Sequence, residues 1–318
     1  MGGESTTREA TVMMKFKANT RRDLPRIAEK LRLDADQVTD MLAVSAVLPF
    51  RVNDYVIENL IDPKSVPSDP IFQLTFPQRG MLEDTLVLFT SEQGSQFPGC
   101  KWTNWDTGIH TALIARWPGR IEGGLRTDAM VQYADVLPTI LGLAGGDKSK
   151  HVYDGTSFAG VLFGEHGKHR DYSYGIHNNI PEGPRYPIRT VTDGKWRYIR
   201  NLLPGELYIE KHLMGMRGNG ELNNPYWATW VRESWNNPHT YKVTKRYMSR
   251  PAEQLYHTAK DPYEMTNLAA DPAHAAIKAK LSAELDKWMK VQGDPGAPQD
   301  THDAHKAARQ GKHLYGVN

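Results

Sequence analysis

The first third of the chain contains an apolar run that ends in polar side chains and a glycine, Leu86-Val87-Leu88-Phe89-Thr90-Ser91-Glu92-Gln93-Gly94. Its consecutive hydrophobic residues predict a buried parallel strand over residues 86–89. Residues 112–117 form a second such run and predict another strand. Ligands of open α/β sheets bind at the carboxyl ends of strands. Glu92, Gln93 and the following Lys101 are therefore candidate site residues.

The pattern changes toward the carboxyl terminus and becomes antiparallel. Residues 188–192 and 195–200 flank Asp193-Gly194, a residue pair that strongly predicts a two-residue hairpin. Asp271-Pro272 predicts the start of a helix, and Gly293 its end. We therefore expect an antiparallel sheet covered by one helix.

The amino-terminal part of the chain has a helical pattern. Apolar residues recur at helical spacing over residues 21–47, and Asp34 is placed to cap a second helix. Residues 1–18 are polar and without pattern, which predicts a mobile tail. The segment is thus expected to be a helical leader that packs on whatever follows it.

Composition excludes several classes of protein. The net charge is +2 and the basic residues are dispersed, which argues against a nucleic-acid partner. The single cysteine, Cys100, excludes an internal disulfide and a cysteine-ligated iron–sulfur cluster. No run approaches the roughly 18 apolar residues of a membrane span, and the first residues lack the apolar region of a secretory signal. The default expectation is a cytoplasmic protein without a membrane partner.

Several motifs in residues 83–297 resemble the sulfatases, and in particular the N-sulfoglucosamine sulfohydrolase-like members. The motifs are Thr90-Ser91-Glu92-Gln93-Gly94, Asp135-Val136-Leu137-Pro138-Thr139, His177-Asn178-Asn179, Tyr186-Pro187-Ile188-Arg189-Thr190-Val191 and Asp261-Pro262-Tyr263-Glu264-Met265-Thr266-Asn267-Leu268. Asp135 is predicted to be the N-cap of a helix. The resemblance implies an α/β fold with part of an alkaline-phosphatase-like sheet, followed by an antiparallel subdomain. It implies hydrolysis of a sulfate ester or sulfamate on a sugar, with calcium.

The resemblance also implies roles for four residues. Glu92 and Gln93 occupy the position where sulfatases place the shorter Asp-Asn or Asp-His pair that binds calcium, so they are the predicted metal ligands. A turn with two solvated polar side chains is the alternative. Lys101 matches the cation that holds the sulfate, and His177 matches a substrate-pocket histidine. A sulfated carbohydrate is the partner that these residues imply.

The sequence leaves open the roles of other polar and aromatic residues near this motif. His110 is expected to be structural, because many sulfatases have arginine there. Trp102, Trp105 and Trp117 fit packing and sugar stacking equally well.

The sulfatase nucleophile motif is missing from the chain. Sulfatases form a formylglycine from the first residue of C/S-x-P-x-R, and Cys100 does not begin such a motif. Ser65-Val66-Pro67-Ser68-Asp69 matches the first four positions but ends in aspartate, so we interpret it as a coincidence. Enzymatic activity is therefore uncertain, and the chain alone is expected to be inactive. The alternatives are a non-catalytic module that binds sulfated carbohydrate, and a subunit that completes a separately encoded amino-terminal half.

Residues 20–82 resemble the leader of the lysine 2,3-aminomutase family of radical S-adenosylmethionine enzymes. The resemblance rests on Pro49-Phe50-Arg51-Val52-Asn53-Asp54-Tyr55, followed by Asp69-Pro70-Ile71. The three-cysteine motif of that family is absent, so its cofactor chemistry is not expected. The sequence thus predicts a leader (1–82), part of a sulfatase core (83–165), an antiparallel subdomain (166–297) and a tail (298–318). A chain that joins parts of two families in this way would expose the surface of its sheet. Self-association through that surface is expected.

Overall fold

The computed structural model of the chain describes residues 17–46, 50–78, 81–147, 149, 151–215, 219, 221–222 and 224–312. The chain forms two compact units, Met1–Leu88 with Ala115–Gly123, and Phe89–Ile114 with Gly124–Asn318. Most of the predicted mobile tail, residues 1–16, lies outside the described residues. No helix of the described part has the length and apolar character needed to cross a membrane.

The first unit contains short helices and one small sheet. Its strands are β1 (Ala18–Asn19) and β2 (Val52–Asn53), which pair antiparallel, and its helices are α1 (Leu24–Leu31), α2 (Ala35–Val44), α3 (Pro70–Thr75) and α4 (Met81–Asp84), with a π-helical turn at Val56–Leu60. Leu24, Ile27 and Leu31 lie in its buried core. Asp34 caps α2, because its carboxylate accepts a 2.8 Å bond from the backbone N–H of Gln37. The predicted helical pattern and cap are confirmed.

The apolar run at residues 86–89 forms a strand that is more exposed than predicted. Strands β3 (Val87–Thr90) and β4 (Leu113–Arg116) pair with each other in a two-stranded sheet. Phe89 is 57% exposed and Ile114 is 60% exposed. The prediction of a buried strand is therefore wrong at β3. A parallel strand is buried only where helices cover both faces of its sheet, and the described residues pair β3 with β4 alone.

The second unit is built around a four-stranded antiparallel sheet. Its strands, in spatial order, are β5 (Ser173–His177), β6 (Ile188–Thr192), β7 (Trp196–Asn201) and β8 (Glu253–His257). Asp193 closes the predicted hairpin between β6 and β7, because its carboxylate accepts from the N–H groups of Lys195 and Trp196 at 3.0 and 2.7 Å. Gly194 follows with a φ of +87°. The hairpin prediction is confirmed.

Both faces of this sheet are covered. The helices of the unit are α5 (Asp106–Ile109), α6 (Val136–Leu143), α7 (Ala159–Leu162), α8 (Lys211–Met214), α9 (Pro225–Glu233), α10 (Pro238–Met248), α11 (Ala275–Val291) and α12 (His302–Arg309). Leu281 and Leu285 of α11 pack on Val191 and Tyr198. Ile188 and Ile199, which point to the opposite face because side chains alternate along a strand, join an aromatic cluster. The predicted covering helix is confirmed, whereas α12 lies in the segment predicted as a tail.

Asp135 has a different role from the one predicted. It occupies the N-cap position of α6, but its side chain makes no capping bond to that helix. The carboxylate accepts instead from the N–H groups of Gln132 (2.8 Å) and Thr156 (2.9 Å) and pairs with Arg170. A 3-10 turn at Tyr133–Asp135 precedes α6, so the carboxylate is turned back toward the start of that turn. Asp135 therefore joins loops rather than capping a helix.

Candidate functional site

The loop after β3 places the predicted sulfate-binding lysine next to the predicted metal ligand. Lys101 Nζ donates to Glu92 Oε1 at 2.5 Å. The Lys101 side chain is 23% exposed and that of Glu92 is 60% exposed. Gly94 has a φ of +56°, and a Cβ there would lie 2.7 Å from the backbone N of Lys101. The glycine is therefore required for this loop to close.

The described residues around Glu92 do not make a complete calcium site. Calcium takes about six to eight oxygen ligands. Gln93 is exposed, and the Glu92 carboxylate is paired with Lys101. Within the described part of the chain, Glu92 belongs to no group of three close His, Cys, Asp or Glu side chains. The donor set is too small to hold the ion by itself, and calcium binding at Glu92 and Gln93 stays a prediction.

His177, the predicted substrate-pocket residue, ends strand β5. Its Nε2 lies 3.3 Å from Asn179 Oδ1, and its ring lies 6.1 Å from the ring of Tyr208. Burial, together with the nearby Arg250 cation, lowers the pKa of His177 to about 4. His177 is thus neutral at pH 7, where it can exchange hydrogen bonds with a ligand but adds no charge.

Tyr208 connects the residue after Lys101 to His177. Its hydroxyl donates to the backbone O of Trp102 at 2.7 Å, and its buried ring contacts that of His177 edge to face. Asn104 makes a second link, since its Nδ2 donates to the backbone O of Gly175 in β5 at 3.2 Å. The loop of Lys101 is therefore held against the strand that ends in His177. Tyr208 lies in no recognisable motif, so the sequence alone gives no signal for it.

A buried arginine lies behind Tyr208. Arg250 is 3% exposed, and its guanidinium carbon lies 3.9 Å from the ring centroid of Tyr208 and 4.6 Å from that of Trp105. Its Nε donates to the backbone O of Tyr247 at 3.0 Å. Aromatic faces attract a desolvated guanidinium. Arg250 thus places a positive charge near His177, and burial among these groups raises the pKa of the Tyr208 hydroxyl well above its ordinary value.

An acidic group with one histidine lies beside the same loop. One ligand atom each of Glu182, Glu210 and His212 lies within 4.8 Å of the others. Glu210 is buried and caps α8 by accepting from two backbone N–H groups, and Lys211 lies 3.2 Å from Glu182. Trp102 stacks on the His212 ring at 5.2 Å. These side chains are used by internal contacts, which hold the Trp102 loop.

The remaining sequence candidates have structural contacts. His110 Nδ1 lies 2.9 Å from Asp106 Oδ2, and this contact raises its pKa. Trp105 is buried, and Trp117 lies under Arg120 at 5.1 Å. Trp102 is the half-buried member that borders the Lys101 loop.

The segment that imitates the nucleophile motif forms a turn in the first unit. Ser65 Oγ donates to Asp62 Oδ2 at 3.0 Å. Asp69, in place of the arginine of the motif, caps α3 by accepting from Phe72 N at 2.8 Å. These contacts give the segment a local structural role.

The chain is similar in sequence to sulfatases over about two-thirds of its length. It is 32% identical over 216 residues to an ulvan-active sulfatase of Formosa agariphila, covering 67% of this chain and 39% of that protein. It is 27% identical over 233 residues to the N-sulphoglucosamine sulphohydrolase of Homo sapiens, covering 68% of this chain and 43% of that protein. No protein-family model matches the chain.

Solved structures give a similar coverage. A 2-O GAG sulfatase is 22% identical, with a TM-score of 0.45 over 73% of this chain and 39% of that one. The chain therefore spans about two-fifths of the length of these relatives. The resemblance of residues 20–82 to the lysine 2,3-aminomutase family stays a prediction.

Proposed function

We propose that the chain is the sulfate-binding part of a sulfatase-type hydrolase that acts on sulfate esters or sulfamates of sugars. The similarity to the ulvan-active sulfatase and to the N-sulphoglucosamine sulphohydrolase supports this function. The observation on which it depends most is that Tyr208 links Trp102, the residue after Lys101, to His177.

Lys101 and His177 would divide recognition between them. The Lys101 ammonium is partly exposed and would face the oxygens of a sulfate group, whose negative charge a fixed cation stabilises. The neutral imidazole of His177 would exchange hydrogen bonds with the sugar. Glu92 competes with the sulfate for Lys101, because its carboxylate already accepts from Nζ.

Turnover by this chain alone is not part of the proposal. The 318 residues contain no C/S-x-P-x-R sequence, so no formylglycine can form at such a motif. A binding module, and a subunit completed by a second chain, remain the alternative forms of the same proposal. Addition of a chain that contains the nucleophile motif distinguishes them, since only the second form would then hydrolyse a sulfated sugar.

The test uses an aryl sulfate and N-sulfated glucosamine, with calcium and a formylglycine-generating enzyme present. We expect no turnover and at most millimolar affinity, because a single cation in water attracts a sulfate by only about 1 kcal/mol. Lys101→Ala should abolish that binding. Glu92→Gln should strengthen it, because the substitution removes the internal competitor while keeping the size of the side chain.

Two results would contradict the proposal. Equal binding by wild type, Lys101→Ala and Glu92→Gln would exclude Lys101 as the sulfate site. Turnover that disappears with Lys101→Ala would show that the chain has a nucleophile outside the formylglycine motif.

A further inference from the structure

Helix α10 and the residues after it form a positively charged segment. Residues 234–252 contain Lys242, Lys245, Arg246 and Arg250 and no aspartate or glutamate. Arg250 is buried, whereas Lys242 and Lys245 are exposed. The exposed charge of this segment is therefore concentrated on one side of one helix.

A shallow cavity of about 420 Å³ lies along that side. It is lined by Tyr241, Lys242, Lys245, Arg246, Ser249 and Pro251. None of these residues is acidic, and this volume lies within the usual range of ligand sites, about 300–1,000 Å³. The cavity thus offers room for one or two sugar rings among positive charges.

The lining residues differ in how firmly they are held. Arg246 is fixed, because its guanidinium lies 3.9 Å from the Trp105 ring centroid and donates to the backbone O of Glu264 at 2.5 Å. Among the residues that the structure describes, neither Lys242 nor Lys245 forms an ion pair. Both ammonium groups are therefore available to an external anion.

Tyr241 gives the face an exposed aromatic ring. It is 54% exposed, and Lys245 Nζ lies 6.0 Å from its ring centroid. An aromatic face beside cations suits a sugar ring that bears sulfate groups, since the ring can stack while the sulfates approach the ammonium groups. The net charge of only +2 argues against a general polyanion-binding surface.

We infer that this basic face of α10, defined by Tyr241, Lys242 and Lys245, is a second binding site for a sulfated polysaccharide, separate from Lys101. The sugar identity of the ligand rests on the proposed function, whereas the anion site rests on the α10 residues themselves. The face would hold a polymer chain at sulfates other than the one at Lys101.

The experiment measures binding of the full chain to dextran sulfate and to N-sulfated glucosamine at fixed ionic strength. Lys242→Ala/Lys245→Ala should lower the affinity for dextran sulfate about 25-fold, because each exposed cation contributes roughly fivefold. It should leave binding of N-sulfated glucosamine unchanged. Lys101→Ala should have the reverse effects: it should lower the affinity for N-sulfated glucosamine and leave the affinity for dextran sulfate unchanged.

A matched control comes from α11. Lys280 and Lys290 are exposed on that helix and form no ion pair among the described residues, so Lys280→Ala/Lys290→Ala removes the same charge elsewhere. We expect this control to change dextran sulfate binding by about twofold or less. Equal losses of affinity for dextran sulfate in the two double variants would contradict a site on α10. They would leave only general electrostatic attraction between the chain and the polymer.

Two further ligands identify the chemistry. Tyr241→Ala should weaken dextran sulfate binding but not binding of inorganic polyphosphate, which has no ring to stack. Single-stranded DNA that binds as tightly as dextran sulfate, and with the same loss on Lys242→Ala/Lys245→Ala, would overturn the sugar ligand in favour of nucleic acid. If Lys101→Ala leaves monosaccharide binding intact while the α10 variants act as expected, the proposed function fails and this site remains.

Discussion

Strand β3 has three apolar residues out of four and strand β6 only two out of five, yet β6 is the more buried of the two. In β6, Ile188 to Val191 are all buried, since α11 covers one face of the sheet and aromatic residues cover the other. In β3 no residue is buried, and Phe89 is exposed. The difference teaches that the burial of a strand depends on the layers packed on its sheet, which a local sequence pattern does not contain.

The largest difference between these regions is expected in how much their ion pairs contribute to the free energy of unfolding. Arg189 of β6 is fully buried and donates to Asp294 through Nε (2.5 Å) and Nη2 (3.0 Å). Asp294→Ala should lower the free energy of unfolding by about 3–5 kcal/mol, because it leaves a buried charge without its partner. Chemical denaturation, followed by the fluorescence of the second unit, measures the change.

The exposed pair after β3 is the comparator. Glu92→Ala, which breaks the Lys101–Glu92 pair, should cost about 1 kcal/mol or less, because solvent screens that pair. Similar costs for Asp294→Ala and Glu92→Ala would show that the sheet of β6 is as open to water as the loop after β3.

Two leucine substitutions, one at a buried position and one at an exposed position, test the apolar packing in the same way. Leu281→Ala removes a fully buried side chain between α11 and the sheet and should cost about 2–5 kcal/mol. Leu137→Ala removes a side chain of α6 that is 60% exposed, and its cost should stay within about 0.5 kcal/mol. An equal cost at the two positions, measured by the same denaturation, would mean that another surface covers Leu137 in solution.

Local signals explain which parts of the fold could be predicted. Asp34, Asp193-Gly194 and Asp271-Pro272 act through hydrogen bonds to residues two or three positions away, so the sequence contains all that determines them. The exposure of Phe89 depends on distant chain segments and could not be predicted in this way. Asp135 occupies the predicted N-cap position but makes no capping bond, because a 3-10 turn before α6 competes for its carboxylate.

The candidate site likewise contains residues that the sequence could predict and residues that it could not. Lys101 and His177 could be proposed because they match positions in the sulfatases that the sequence resembles. Tyr208 and Arg250 could not, since their importance comes from contacts with Trp102 and His177, which are distant in sequence. The role of Glu92 as the partner of Lys101 also required the loop geometry around Gly94.

The exposed side chains of β3 and β4 should cause self-association. Phe89→Ser/Ile114→Ser should reduce the concentration dependence of the sedimentation coefficient, because it removes two large apolar side chains from an open sheet. The control Leu74→Ser/Val152→Ser removes exposed apolar side chains outside this sheet and should have little effect. A wild-type chain that stays monomeric at every soluble concentration would contradict this prediction.

Two histidines have pKa values that shift in opposite directions, so their effects on stability depend on pH. Burial lowers the pKa of His177, at the end of β5, to about 4, so the unfolded chain binds more protons as the pH falls below about 6.5. His177 therefore contributes stability that is present at neutral pH and is lost as the pH falls toward 4. Asp106 raises the pKa of the exposed His110, before β4, which contributes stability below about pH 6.5 that is lost as the pH rises.

His177→Asn should therefore reduce the loss of unfolding free energy between about pH 8 and about pH 5 by up to roughly 2 kcal/mol. His110→Asn should increase that loss slightly, since water screens the exposed His110–Asp106 pair. Denaturant midpoints of the three proteins at the two pH values give the comparison. Substitutions that shift both midpoints equally would show that neither imidazole changes its pKa on folding. The opposite signs matter for the proposed site, because a histidine that stays neutral in the folded chain would add no charge to the proposed sulfate binding at Lys101.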